Sequence, residues 1–195
     1  MKKRLFLAIT LPQTTIDLFA GLPLTVPENP LVRWTKTENL HITVVFLGYL
    51  EKENISSLEK EIHQVLQTMR SFSLEFAGLS FGPRGKSPRL IWAKYKDHND
   101  FSETIDRLAE HLQKKGFPPK GKLWKNPHVT LARFKGRIDT SPLPSVILPP
   151  LRATQIDLYE SKLFRSGPVY TKRRTFHLTN KLDEPKKVWR QKVCE

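Results

Sequence analysis

The sequence is poor in cysteine, in acidic residues and in long apolar stretches. Its single cysteine, Cys194, has no second thiol with which to form an intrachain disulfide, which is typical of a protein from a reducing compartment. No apolar run approaches the roughly 20 residues that a membrane-spanning helix needs. The apolar stretch near the N-terminus is short, is interrupted by Pro12 and is followed by no small-residue cleavage site. We therefore expect a cytoplasmic protein with no membrane partner.

Several familiar site motifs are also missing. The chain has no Walker A motif, no G-x-G-x-x-G fingerprint and no G-x-S-x-G nucleophile elbow. No cysteine pair is available for zinc, and the other histidines lack ligand spacing. These absences argue against P-loop enzymes, dinucleotide-binding folds, α/β-hydrolases and zinc sites, and we expect neither a metal nor a cofactor.

Acidic residues are few relative to basic ones. The 195 residues include 33 Lys and Arg against 19 Asp and Glu, a formal net charge of +14. A surplus of this size favours a polyanionic partner, with RNA, DNA or an anionic membrane as candidates. A surface shaped for solubility or for ion-pair networks would have a similar composition. Charge alone does not choose between these interpretations.

What the sequence does contain is a repeated three-residue pattern, His-x-Thr. It occurs as His41-Ile42-Thr43 in the run LHITVVFLG and as His128-Val129-Thr130 in the run PHVTLARF. Both runs are apolar and strand-like, and residues two apart in a strand point to the same face. If the two strands face one cleft, two imidazoles meet there. Histidine exchanges protons near neutral pH, so the pair could act as acid and base.

The two patterns fall in comparable halves of the chain. A strand is predicted at Arg4–Ile9 and another at Arg89–Lys94, and each is followed by a predicted helix and then by a His-x-Thr run. Apolar spacing and end signals predict helices between residues 12 and 21, 54 and 70, and 100 and 115, the last with a capping box formed by Asp100 and Glu103.

This order predicts an α+β protein with a bilobal, duplicated fold. We expect two mostly antiparallel sheets that face a central cleft, with the helices packed outside. Residues 1–182 would form this single domain, and residues 183–195 a basic C-terminal tail.

Two histidines flanked by hydroxyls and surplus cations suit the hydrolysis of a phosphodiester. One imidazole would take a proton from water while the other, protonated, donates to the leaving oxygen. Thr43 and Thr130 would hydrogen-bond the phosphate oxygens, and Arg133 would offer a guanidinium fork. Arg133 lies five residues after His128, however, so strict alternation places it on the opposite face. It reaches the cleft only if the strand ends, twists or bulges first.

Other interpretations remain open at this point. A histidine in an apolar strand is commonly an interior residue, and the same groove could serve a nonenzymatic RNA- or nucleotide-binding module. Tyr170 and Phe46 could stack on a base, although we expect Phe46 in the core. Three cations are candidates for phosphate contacts or for ordinary solvated charges: Lys36, Lys125 and Arg165.

The chain resembles the 2H phosphoesterase superfamily, and within it the RNA 2′,3′-cyclic phosphodiesterases, also called the 2′-5′ RNA ligase family. The likeness extends over RLFLAITLP, RWTKTENLHITVVFLG, NPHVTLARF and ESKLFRSGPVYTKRRTFHL. Two departures are mild: Thr37 stands where a proline is common, and FRSGPVY is a looser version of its block. Neither departure touches the His-x-Thr motifs.

The resemblance implies a metal-independent enzyme that opens a 2′,3′-cyclic phosphate to leave a 2′-phosphate. It implies that His41 is the proton donor and His128 the proton acceptor, an assignment that rests on the resemblance alone. Thr43, Thr130 and Arg133 would bind the substrate. The partners would be RNA ends or nucleotides that carry a 2′,3′-cyclic phosphate, tRNA-like ends included, and the protein would be a monomer. The reverse reaction would join RNA through a 2′-5′ linkage.

Overall fold

The computed structural model describes residues 1–25, 29–83, 88–136 and 143–179. The predicted basic tail, 183–195, and the last residues of the predicted domain lie outside these ranges. Within them no helix is long and apolar enough to cross a bilayer.

The described residues form ten strands and three α-helices. In chain order these are β1 (Lys2–Thr10), α1 (Gln13–Gly21), β2 (Val32–Trp34), β3 (His41–Glu51), α2 (Ile55–Leu66), β4 (Phe72–Leu74), β5 (Phe76–Gly82), β6 (Leu90–Tyr95), α3 (Asn99–Lys114), β7 (His128–Phe134), β8 (Leu151–Ala153), β9 (Gln155–Phe164) and β10 (Gly167–His177). The repeated order of strand, helix and His-x-Thr strand is present as β1-α1-β3 and β6-α3-β7, with the short β2 between α1 and β3.

Eight of the strands form one large sheet. Its order is β10-β9-β1-β3-β7-β6-β5, with β2 paired to the far end of β7, and the two remaining strands, β4 and β8, form a small separate sheet. Every pairing between these strands is antiparallel. The expected α+β class with mostly antiparallel strands is confirmed.

The expectation of two mostly antiparallel sheets that face a central cleft is confirmed only in part, because one of the two sheets is large and the other small. The two His-x-Thr strands, β3 and β7, pair with each other, and that pairing merges the two halves into a single sheet. The join is narrow, because the only Cα partners between β3 and β7 are Ile42 and Val129. Hydrophobic spacing along each strand predicted the strands themselves, but it contains no information on which strand lies beside which.

Helices α2 and α3 pack against each other over one side of the large sheet. Their apolar stripes are buried as the helical spacing predicted; the fully or almost fully buried members include Leu58, Ile62, Leu66, Phe101, Ile105, Leu108 and Leu112. One local prediction is wrong: α3 begins at Asn99 after an N-cap at His98, so Asp100 lies inside the first turn and forms no capping box with Glu103. The opposite side of the sheet is left open for the site.

Candidate active site

The two His-x-Thr motifs meet at the centre of the large sheet. Ile42, the middle residue of one motif, is the antiparallel partner of Val129, the middle residue of the other. Both middle residues are fully buried, so the histidines and threonines on either side of them project to the opposite, cleft face. In antiparallel register, the residues next to such a pair are cross-strand neighbours, which sets His41 beside Thr130 and His128 beside Thr43.

All four side chains are half-buried and line one cleft of about 460 Å³. The structure therefore brings together both predicted histidines and both predicted threonines. They form a compact group in which each imidazole has one threonine along its own strand and another across the strand pair.

The two imidazoles are held in the same way. Nδ1 of His41 donates to the backbone carbonyl of Asn39 at 2.7 Å, and Nδ1 of His128 donates to the carbonyl of Asn126 at 2.8 Å. A carbonyl can only accept, so the proton of each neutral ring lies on Nδ1 and the lone pair on Nε2. In His41 that Nε2 accepts a hydrogen bond from the Thr43 hydroxyl at 3.0 Å.

The His-x-Thr pattern did not predict these two carbonyl contacts. Each belongs to an asparagine two residues before the histidine, so the repeated pattern is in fact Asn-x-His-x-Thr, at Asn39–Thr43 and at Asn126–Thr130. The longer repeat was available as a signal in the sequence. The role of the asparagine could not be predicted from the sequence, because the contact uses the backbone carbonyl rather than the asparagine side chain.

Burial depresses the basicity of both histidines. The pKa of His41 is lowered from 6.5 to about 4, chiefly by burial and to a lesser extent by the nearby His128 and Arg133, while the hydrogen bond to Asn39 opposes the change. The pKa of His128 is also lowered, by burial and then by Lys94, against the hydrogen bond to Asn126. Both imidazoles are therefore mainly neutral at pH 7 in the empty cleft, with Nε2 able to accept a proton.

Aromatic rings account for this burial. Phe6 and Tyr170 pack against His41, with ring centroids 5.0 and 5.4 Å away. Trp92 packs against His128 at 4.5 Å and Trp124 at 5.9 Å. The two tryptophans were not singled out in the sequence, because Trp92 is a strand residue of β6 and Trp124 lies in the irregular segment before β7. Trp124 is already near His128 in the chain, but only the fold brings Trp92 to that histidine.

Arg133 reaches the cleft because β7 bulges. Thr130 is paired with Trp92, and Ala132 with the adjacent Ile91, so Leu131 is an extra residue in β7 without its own partner. A one-residue bulge reverses the alternation beyond it and returns Arg133 to the face of His128 and Thr130. Arg133 accordingly lines the cleft. The bulge that Arg133 needs in order to reach the cleft is therefore present in β7.

Strand β3 carries a bulge at the equivalent place. Thr43 is paired with Ala8 and Val45 with the adjacent Leu7, which leaves Val44 as the extra residue. Phe46, five residues after His41, is thereby turned to the cleft, where it is 39% exposed. The expectation that Phe46 belongs to the core is wrong, for the same geometric reason that admits Arg133.

The cleft is electropositive. Its described lining includes four cationic side chains, Arg33, Lys36, Lys122 and Arg133, and no Asp or Glu. Of the three further cations considered as phosphate contacts, Lys36 lines the cleft, Arg165 does not, and Lys125 forms an ion pair with Asp106 at 2.7 Å. In the part of the chain that the structure describes, no three His, Cys, Asp or Glu side chains are grouped so that they could hold a metal ion.

Comparison with known proteins places this geometry in a family. Residues 32–160, which contain both His-x-Thr strands, match the model of the 2′-5′ RNA ligase superfamily. That match covers well over half of the chain, and the chain belongs to this superfamily.

Individual relatives align with this chain over most of its length. The chain is 26% identical over 186 residues to the RNA 2′,3′-cyclic phosphodiesterase of Methanothermobacter thermautotrophicus, covering 91% of this chain and 100% of that protein. A crystal structure from Thermus thermophilus aligns with a TM-score of 0.78 at 25% identity, over 91% of this chain and 99% of the other. E. coli LigT complexed with 3′-AMP aligns with a TM-score of 0.73 at 24% identity, over 91% of this chain and 98% of the other. This last likeness establishes the shared fold.

Proposed function

We propose that this protein opens the 2′,3′-cyclic phosphate of an RNA end or nucleotide and leaves a 2′-phosphate. One observation carries the proposal: two imidazoles, each held through Nδ1 by a backbone carbonyl, share one cation-lined cleft in which no described residue is acidic. A phosphodiester anion is attracted there, and groups able to give and take protons stand on both sides of it.

In the proposed reaction His128 Nε2 takes a proton from water as the water oxygen attacks the phosphorus. The bond between phosphorus and the 3′ oxygen breaks in line, and that oxygen receives the proton carried by His41 Nε2. The hydroxyls of Thr43 and Thr130 and the guanidinium of Arg133 donate to the non-bridging oxygens, where charge accumulates. The imidazoles supply both proton transfers, so the step as written uses no metal. The choice of His41 as acid follows the family resemblance, since the Nδ1 hydrogen bond that fixes the tautomer is the same in the two histidines.

Because the pKa of His41 is lowered, His41 becomes protonated, and so able to act as the acid, only when substrate is bound. In the empty cleft, with a pKa of about 4, His41 is neutral at pH 7 and cannot donate. A phosphodiester anion beside the ring stabilises the imidazolium and raises that pKa. The acid is therefore formed when substrate binds.

The relatives support this chemistry and its substrate class. The Methanothermobacter protein is an RNA 2′,3′-cyclic phosphodiesterase, and E. coli LigT, with the same fold, was crystallised with the nucleotide 3′-AMP. We extend the proposal to the reverse joining of a 2′,3′-cyclic end to a 5′-hydroxyl as a 2′-5′ linkage. The matching β1-α1-β3 and β6-α3-β7 units favour an internal duplication, and since one chain supplies both histidines, the monomer is the proposed active unit.

The test is hydrolysis of adenosine 2′,3′-cyclic phosphate in EDTA, with the product identified by phosphorus NMR. We expect a 2′-phosphate, and a fall in kcat of about 100-fold or more in His41→Ala and in His128→Ala. His63→Ala, at an exposed position on α2, is the matched control and should keep wild-type turnover. Circular dichroism checks that the variants remain folded.

Three results would reject the proposal. Turnover retained in either active-site variant removes the assigned roles, and a 3′-phosphate product redirects the chemistry. Salt-sensitive nucleotide binding without any turnover in the wild-type protein would identify the nonenzymatic binding module instead.

A further inference from the structure

Two arginines stand directly opposite each other on the cleft face. Arg33 of β2 is the antiparallel partner of Arg133 of β7. Both side chains are exposed and both line the cleft. Like charges at directly opposed positions of a sheet destabilise it. No described acidic side chain lines the cleft to offset them, so the pair is stabilised when an anion lies between the two guanidinium groups.

Arg33 has donors to spare for such an anion. One Nη2 hydrogen bond goes to the backbone carbonyl of Ser166 at 2.6 Å, which ties Arg33 to the turn between β9 and β10. A guanidinium has five N–H donors in a planar fork. The Ser166 contact therefore orients the group and leaves most of its donors available.

The arginine pair lies at one particular end of the site. Along β7 the cleft-facing residues run from His128 to Thr130 and then, past the bulge, to Arg133. The register with β3 puts Thr130 beside His41, so Arg133 and Arg33 lie beyond His41, at the end away from His128. The positive charge of Arg133 is among the causes of the lowered pKa of His41, which agrees with this placement.

The in-line geometry of the reaction then determines which part of the substrate lies at the Arg133 end of the cleft. If His128 activates the water and His41 protonates the 3′ oxygen, as proposed above, the leaving oxygen lies opposite the water. The ribose that carries this oxygen is consequently on the His41 side. Its 5′ substituent extends away from the reacting phosphorus, in the direction of Arg133 and Arg33.

We infer that Arg33, with Arg133 beside it, binds a second phosphate, the one attached to the 5′ oxygen of the nucleoside that bears the cyclic phosphate. The inference rests on the proposed function and narrows its substrate class. A nucleoside 2′,3′-cyclic phosphate without a 5′-phosphate leaves this subsite empty. A 5′-phosphorylated nucleotide or the last residue of an RNA chain fills it.

Three substrates test the subsite: adenosine 2′,3′-cyclic phosphate, its 5′-phosphorylated form, and the dinucleotide adenylyl-3′,5′-adenosine 2′,3′-cyclic phosphate. For the wild-type protein we expect kcat/KM to be about tenfold higher with either substrate that has a 5′-phosphate, because a charge-assisted hydrogen bond is gained. Arg33→Gln should erase about that factor. Lys60→Gln, which removes one exposed charge on the helix-covered side, should preserve the preference.

A second measurement separates binding from a merely structural role of Arg33. In Arg33→Gln the plot of log kcat/KM against log salt for the dinucleotide should become shallower, because one cationic contact with a phosphate is lost. Arg33→Lys keeps the charge and should retain the wild-type slope while losing part of the preference, since it lacks the fork.

The outcomes are distinct. Preference for both 5′-phosphorylated substrates shows that the subsite accepts RNA ends as well as nucleotides, and preference for the free 5′-phosphate alone assigns it to nucleotides. Equal kcat/KM for all three wild-type substrates, or a parallel fall for all three in Arg33→Gln with an unchanged salt slope, overturns the inference while the proposed function stands. No hydrolysis of any substrate overturns the proposed function and, with it, this subsite.

Discussion

Protonation of His41 should destabilise the folded protein. In the unfolded chain this histidine takes up a proton near its ordinary pKa of 6.5, but in the folded protein only near 4, because it is buried and lies close to His128 and Arg133. Between these values the unfolded state binds more protons, so the free energy of unfolding falls as the pH falls. At pH 4.5 the loss from this residue is about 2 to 3 kcal/mol, against almost none at pH 7.

Urea denaturation at pH 7 and at pH 4.5 measures this effect when the wild-type protein is compared with His41→Asn. The asparagine amide can still donate to the Asn39 carbonyl, but it does not titrate. Whatever the other groups contribute, the variant should gain about 2 kcal/mol relative to the wild type on acidification. His63→Asn, exposed on α2, is the matched control and should follow the wild type. A stability difference between His41→Asn and wild type that does not change with pH would refute the burial argument.

Three further predictions follow from the site and its surroundings. Because catalysis needs one imidazole protonated and both pKa values are lowered in the free protein, kcat/KM should peak below pH 6.5 and decline above it; an optimum above pH 8 would contradict this. Thr43→Val and Thr130→Val should each lower kcat/KM about tenfold by removing a donor to the phosphate, and unchanged kinetics would remove the threonines from the site. Asp157→Asn should lower the free energy of unfolding by about 2 kcal/mol in urea titrations, because the fully buried carboxylate pairs with Lys172 at 2.9 Å; wild-type stability would show that this ion pair contributes nothing.

Local pattern was a sound guide to the elements and to the centre of the site. The apolar spacing that predicts a helix near 54–70 is realised as α2, and the run after Asp100 as α3. The strands that contain His41 and His128 follow from short apolar runs with alternating polar positions. These features depend on residues within a few positions of one another, which is why a single sequence contains them.

The surroundings of the histidines were less predictable. Trp92 is distant from His128 in the chain, and Trp124 lies just before it in an irregular segment; neither carries a motif, yet they form the ring cluster that buries His128. Strict alternation along β3 would place Phe46 on the same buried face as Ile42. The bulge that exposes it becomes visible only once β1 is paired with β3.

Residue types and their spacing along the chain were thus sufficient to predict the two His-x-Thr strands, the basic character of the protein and the general class of its fold. Strand partnership settled everything else: the merging of two halves into one sheet through Ile42 and Val129, the bulges that turn Arg133 and Phe46 to the cleft, and the pairing of Arg33 with Arg133. The physical reason is that hydrogen-bonded register couples residues far apart in the chain. Its free energy depends on contacts that no local window of sequence contains.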